Sequence, residues 1–95
     1  MKYIAFWEHC PEDFDKVIER SKQHREDVEK HPEKYPKTLF PSHTMGGEPK
    51  GFSIIEGTPE QLISLALHWM PLIKFKFVPI IESAKVIEQY LETKK

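Results

Sequence analysis

Residues 52–70 read FSIIEGTPEQLISLALHWM, and the hydrophobic period changes in the middle of the stretch. Phe52 to Glu56 is short, apolar and rich in β-prone side chains, the pattern of a strand. From Leu62 onward the apolar residues recur at helical spacing: Leu62, Ala66 and Trp69 form a stripe, with Leu65, Ile63 and Met70 beside it. The joint Gly57-Thr58-Pro59-Glu60-Gln61 is a helix start. Thr58 can accept from the backbone, Pro59 takes the first helical position where its missing N–H costs nothing, and Gln61 closes a capping box. Pro71 stops the helix at about Met70.

Working outward from this joint, Ile73 to Glu82 predicts the longest strand. Ile73, Phe75, Phe77, Pro79 and Ile81 fall on one face, and Lys74, Lys76, Val78, Ile80 and Glu82 on the other. Ser83 then caps a short final helix with an apolar edge of Val86, Ile87, Tyr90 and Leu91. Upstream, Gly46 to Gly51 is a turn that follows a weaker strand, Thr38 to Met45, interrupted by Pro41. The chain opens with an alternating strand, Lys2 to Glu8, that places Tyr3, Ala5, Trp7 and His9 on one face and Ile4 and Phe6 on the other. Pro11, Glu12 and Asp13 start a long helix with an inward stripe of Phe14, Val17, Ile18, Ser21, Arg25 and Val28. Its second half reads as a solvated extension, held by pairs such as Glu26 and Lys30. Pro32 and Pro36 bound an irregular segment.

The order is βαββαβ with an added C-terminal helix, an α+β class chain in the ferredoxin-like arrangement, antiparallel sheet order 4-1-3-2, forming a single domain over residues 1–95. That order makes strands two and four the edges. These are the strands that carry Pro41 and Pro79, and edges are where a sheet tolerates proline.

Composition narrows the function classes. Fourteen Lys+Arg against fifteen Asp+Glu give a net charge of −1, which excludes a surface built for nucleic acid. No apolar run approaches the ~18 residues of a membrane span, and the opening residues carry no signal-peptide pattern. The single cysteine, Cys10, predicts a cytoplasmic setting. Twelve of the bases are Lys, twelve of the acids are Glu, and Asn is absent, a thermophile-like composition. A chain this short buries only roughly 60–65% of its unfolded surface. Without disulfides it gains further burial by association. The sheet face away from the helices, with Ile4, Phe6, Phe52 or Ile55, Val78 and Ile80, is apolar and rimmed by Lys2, Glu8, Lys74 and Lys76. It is too large a patch for a monomer to expose, and it predicts a homodimer interface.

The second half of the chain resembles a family of small uncharacterised proteins in the dimeric α/β-barrel superfamily. The resemblance rests on the turn ending at Gly51, Phe52-x-Ile54-x-Glu56, Leu62 and Trp69 on the helix, and Phe75 to Ile80 with Glu82. It covers about forty residues, with the first half similar mainly in element order. It implies two ferredoxin-like sheets packed face to face as a dimeric α/β barrel, and it implies no particular reaction. Other branches of that superfamily include cofactor-free monooxygenases, haem-degrading enzymes and ligand-sensing domains.

Among the five histidines, His9 is the best placed for chemistry. It shares a strand face with Tyr3 and Trp7, opposite Trp69, Phe75 and Phe77. These six residues, Tyr3, Trp7, His9, Trp69, Phe75 and Phe77, are the candidate ligand-binding set, an aromatic wall with one imidazole. His9 is also the candidate general base, with Glu56 at the end of strand three expected beside the end of strand one to orient it. No metal or cofactor is expected. His9 and Cys10 point to opposite faces, and His43 is expected at the far end of the sheet from His9. His68 is expected on the solvated side of its helix, and His24 and His31 on the surface. Cys10 lacks a neighbouring base to make it a nucleophile, and Gly46-Gly47 joins two strands and so is no phosphate cradle.

Three functional readings follow. The first is a homodimer binding a small apolar or aromatic ligand between sheet and helices. The second is a cofactor-independent enzyme, monooxygenase- or isomerase-like, with His9 as base. In the third, a structural dimer, the aromatics only pack.

Overall fold

The computed structural model describes residues 1–94. The elements are β1 (Lys2–Glu8), α1 (Phe14–Lys30), β2 (Lys37–Thr44), β3 (Lys50–Glu56), α2 (Pro59–Trp69), β4 (Lys74–Ile80) and α3 (Ser83–Thr93). They form an α+β, ferredoxin-like βαββαβ chain with an added helix. The sheet order is β2-β3-β1-β4, and every neighbouring pair is antiparallel. Both edge strands carry their proline, Pro41 and Pro79. No helix among the described residues is long and apolar enough to cross a membrane.

The capping box is formed as read. Gln61 N donates to Thr58 Oγ1 at 3.2 Å, and Thr58 N donates to Gln61 Oε1 at 3.0 Å. Gly57 makes this box possible, because a Cβ there would lie 2.6 Å from Gln61 Oε1. Two other starts differ from expectation. Pro11–Asp13 is a turn of 3-10 helix, and α1 begins only at Phe14. Glu82 takes the cap position before α3, and Ser83 is the first helical residue. A second 3-10 turn, Pro32–Lys34, occupies the segment read as irregular.

Register assigns the two faces of the sheet. Tyr3, Ala5 and Trp7 stand across from Ile55, Ser53 and Gly51 on β3 and from Pro79, Phe77 and Phe75 on β4. This is the helix side. Ala5, fully buried, Ile55 and Leu62 form one core cluster, with Tyr3, Leu65, Phe75 and Phe77 packed on it. Val17, Trp69 and Ile73 form a second, and it ties α1 to the end of α2. The open side carries Ile4, Phe6, Phe52, Ile54, Val78 and Ile80. Phe52 therefore belongs to the open face, whereas Ile55 lies on the helix side, because alternate residues point to opposite faces.

Candidate functional site

α1 does not lie over the centre of the sheet. It leans on the far end of α2, where Arg20 donates to the carbonyl of His68, and Val17 packs on Trp69 and Ile73. Phe14 and Ile18, expected to face inward, are exposed. The half-buried residues of the second half of α1 are His24, Asp27 and Val28, so that half is no solvated extension. This tilt separates α1 from the β2–β3 half of the sheet. Apart from Ile55, which packs into the core with Leu62, the helix-side residues there are Thr38, Ser42, Thr44, Gly51 and Ser53, too small to fill the space. The result is a cavity of about 850 Å³, roofed by the apolar edge of α1 and floored by hydroxyls. Its volume lies within the range of small-molecule sites, about 300–1,000 Å³.

One end of the cavity is formed by Trp7 and His9. The Trp7 indole lies across Gly51, where a Cβ would come within 2.5 Å of the ring and 2.0 Å of the His43 carbonyl oxygen. Only glycine lets the ring lie flat there and reach β2, where Nε1 donates to Ser42 Oγ at 2.7 Å. The His9 ring stacks on Trp7 at 6.1 Å between centroids and on Phe14 at 6.1 Å. His9 Nδ1 lies 2.8 Å from the Cys10 carbonyl oxygen. A carbonyl only accepts, so Nδ1 carries the proton and Nε2 is the basic nitrogen of the neutral ring.

His24 and Tyr35 line the cavity, and they belong to a polar cluster that sequence reasoning missed. The His24 ring meets Tyr35, His68 and Trp69 at 5.0, 4.8 and 5.5 Å between centroids. Tyr35 is buried and donates its hydroxyl to Asp27 Oδ2. Burial, with His68 alongside, pushes the His24 imidazole down to about 4. Burial and the neighbouring Arg20 lower His68 as well. Burial and the bond to Asp27 push the Tyr35 phenol up to about 12, and that same bond lowers Asp27. His24 Nδ1 and His68 Nε2 are buried without a hydrogen-bond partner, so the rings are held neutral at the cost of two unsatisfied nitrogens. His68 is thus inward-facing, because the Pro32–Pro36 segment and α1 wrap its flank of α2, with Gln61 Nε2 donating to Glu33 O. The signal for His24 was present: it lies seven residues after Val17 and three after Ser21, on the buried side of the helix.

Four of the six expected ligand residues, Trp7, His9, Trp69 and Phe75, line the cavity. Tyr3 and Phe77 instead pack on Ala5, Ile55 and Leu62. Glu56 is not beside His9. β3 runs antiparallel to β1, so Glu56 stands opposite Lys2, at the other end of the strand and on the open side. His43 needs the converse correction. β2 and β1 are both antiparallel to β3 and hence parallel to each other, which brings His43 to the same end as His9 but on the opposite face, across from Phe52. No three His, Cys, Asp or Glu side chains converge among the described residues.

The fold and cavity define a small ferredoxin-like domain with a lateral, aromatic-ended pocket. Residues 1–93 match the family described as a domain of unknown function, DUF3303, and the chain belongs to that family. No curated protein and no solved structure matches it.

Proposed function

We propose that the protein binds a small, flat, largely apolar or aromatic molecule in the cavity between α1 and the β2–β3 half of the sheet. The observation that carries this reading is the cavity itself: about 850 Å³ beside buried cores, lined by Trp7, His9, Trp69 and Phe75. The asymmetry of its walls refines the ligand. Phe14, Val17 and Ile18 above would cover a flat apolar face, while Ser42, Ser53 and Thr38 below would accept hydroxyl or carbonyl groups along one edge. In the enzymatic alternative His9 acts alone as base, because Glu56 is out of its reach and the carboxylate meant to orient it is absent from that end.

The working form in this reading is a homodimer joined through the open sheet faces, as the resemblance to dimeric α/β barrels implies. An exposed, unpaired Cys10 favours the reducing cytoplasm as its setting, and the Lys/Glu-rich composition favours a thermophilic source.

Titration with 2-naphthol, followed by the fluorescence of Trp7 and Trp69, tests the ligand reading. Saturable quenching at one molecule per chain is expected, and Ser53→Leu, which puts an isobutyl group on the cavity floor, should weaken it. Quenching that is absent to solubility, or unchanged in Ser53→Leu, removes the proposal.

A further inference from the structure

Charge sorts the ligands that the volume of the cavity admits. Charged residues make up 31% of the chain, yet among the described residues Glu48 is the one charged side chain on the cavity lining, and no lysine or arginine joins it. The bases around it are committed elsewhere. Arg20 donates to the carbonyls of His68 and Met70 at the end of α2. Arg25, on the stripe read as inward, is exposed. Lys50 Nζ pairs with Glu48 Oε2 itself at 3.3 Å.

The two imidazoles on the lining supply no cation either. His24 is kept uncharged at neutral pH by burial and by His68 alongside. In the neutral His9 ring the proton sits on Nδ1, against the Cys10 carbonyl oxygen, and Nε2 is left as an acceptor. His9 N donates to Pro49 O at 3.0 Å, a bond that holds the β2–β3 turn, and with it Glu48, at the strand end. The basic nitrogen and the carboxylate therefore belong to the same end of the cavity, the end walled by Trp7. On the floor there, Ser42 Oγ accepts from Trp7 Nε1, and its own proton has no acceptor among the described residues.

These groups treat two kinds of aromatic molecule differently. A carboxylate or phosphate entering this end would exchange its hydration for neutral walls and the Glu48 carboxylate, with no cation to offset the loss. A neutral hydroxyl can donate to His9 Nε2, and its oxygen can accept from a floor hydroxyl. We infer that the cavity is specific for uncharged aromatic molecules that carry a hydroxyl or N–H donor, held by His9 Nε2, and that it rejects aromatic carboxylates and phosphates of the same shape. The inference rests on the ligand reading proposed above and adds charge and a donor to it.

Equilibrium dialysis of the full chain at pH 8 against 2-naphthol, 2-methoxynaphthalene and 2-naphthoate tests it. The three probes share one ring system. The ether has no proton to donate, and the carboxylate is fully ionised at this pH. 2-Naphthol is expected to bind most tightly, the ether about tenfold more weakly, and naphthoate at least about tenfold more weakly. His9→Phe keeps a ring to stack between Trp7 and Phe14, and it should erase the difference between 2-naphthol and the ether. Glu48→Lys, on an exposed turn, should tighten naphthoate about fivefold. The comparison of probes on the unaltered chain stays decisive should either variant fail to fold. An ether or a naphthoate that binds as tightly as 2-naphthol overturns the inference and leaves the cavity reading standing. So does a difference that survives His9→Phe, or a naphthoate Kd unmoved by Glu48→Lys. If none of the three probes binds, the cavity reading falls with it.

Discussion

The two halves of the helix side of one sheet behave differently. Under α2, the β1–β4 half presents Ala5, Phe75 and Phe77, and these pack with Leu62 and Leu65 into a core. Under α1, the β2–β3 half presents, apart from Ile55, only Thr38, Ser42, Thr44, Gly51 and Ser53, and there the same two-layer architecture leaves a cavity. Topology is shared, so small side chains, together with the lean of α1 onto the end of α2, separate an empty layer from a filled one. The lesson is that in a chain of this size apolar area is concentrated in one half, and the other half is left open as a cavity.

The largest break in this comparison is expected from Leu62→Ala. It empties a buried position of the filled half, and urea unfolding should show a loss of about 2–5 kcal/mol. Gly51→Ala comes next. Its Cβ collides with a backbone carbonyl and with the Trp7 ring, so a loss on the order of 2 kcal/mol should accompany a shifted Trp7 emission and weaker 2-naphthol binding.

Acid gives a smaller effect, located in the polar cluster at the edge of the cavity. His24 is held down to about 4 against its ordinary 6.5. Above pH 6.5 the ring is neutral in both folded and unfolded chains. Between 6.5 and 4 the unfolded chain takes up a proton that the fold refuses, so stability falls through that window and the loss levels off below it. The ring is half exposed, and after solvent screening the loss is on the order of 1–2 kcal/mol. The lowered His68 adds in the same direction. Urea midpoints from pH 7 to 4 should show this slope, and His24→Phe should flatten it. The smallest stability change, within about 1 kcal/mol, is expected for Ser53→Leu in the open half, although it should weaken binding.

Much of the fold was legible because local signals agreed with one another. The Thr58–Gln61 capping box fixed the start of α2, and Pro41 and Pro79 pointed to the edge strands that the sheet in fact has. The site was legible only in part. Trp7, His9, Trp69 and Phe75 announced themselves as an aromatic wall on one strand face. His24 was passed over: helical spacing from Val17 and Ser21 put it on the buried side of α1, but the loss of apolar residues after Ile18 made that half read as solvated. Glu56 and His43 were misplaced by strand direction. An antiparallel neighbour reverses which ends meet, and two such reversals restore the original sense. The cavity itself is a property of small residues, and Ser42, Ser53 and Thr38 carry no motif that marks them as a floor.

The central claim, that the unfilled half is a binding site, is tested most directly by amide NMR of the protein titrated with 2-naphthol. Shifts confined to the cavity, at Ser42, Ser53, Thr38, Ile18 and His24 with the indole N–H of Trp7, are the predicted result. Shifts centred on Ile4, Phe6 and Val78 of the open face, or none at saturation, would contradict it.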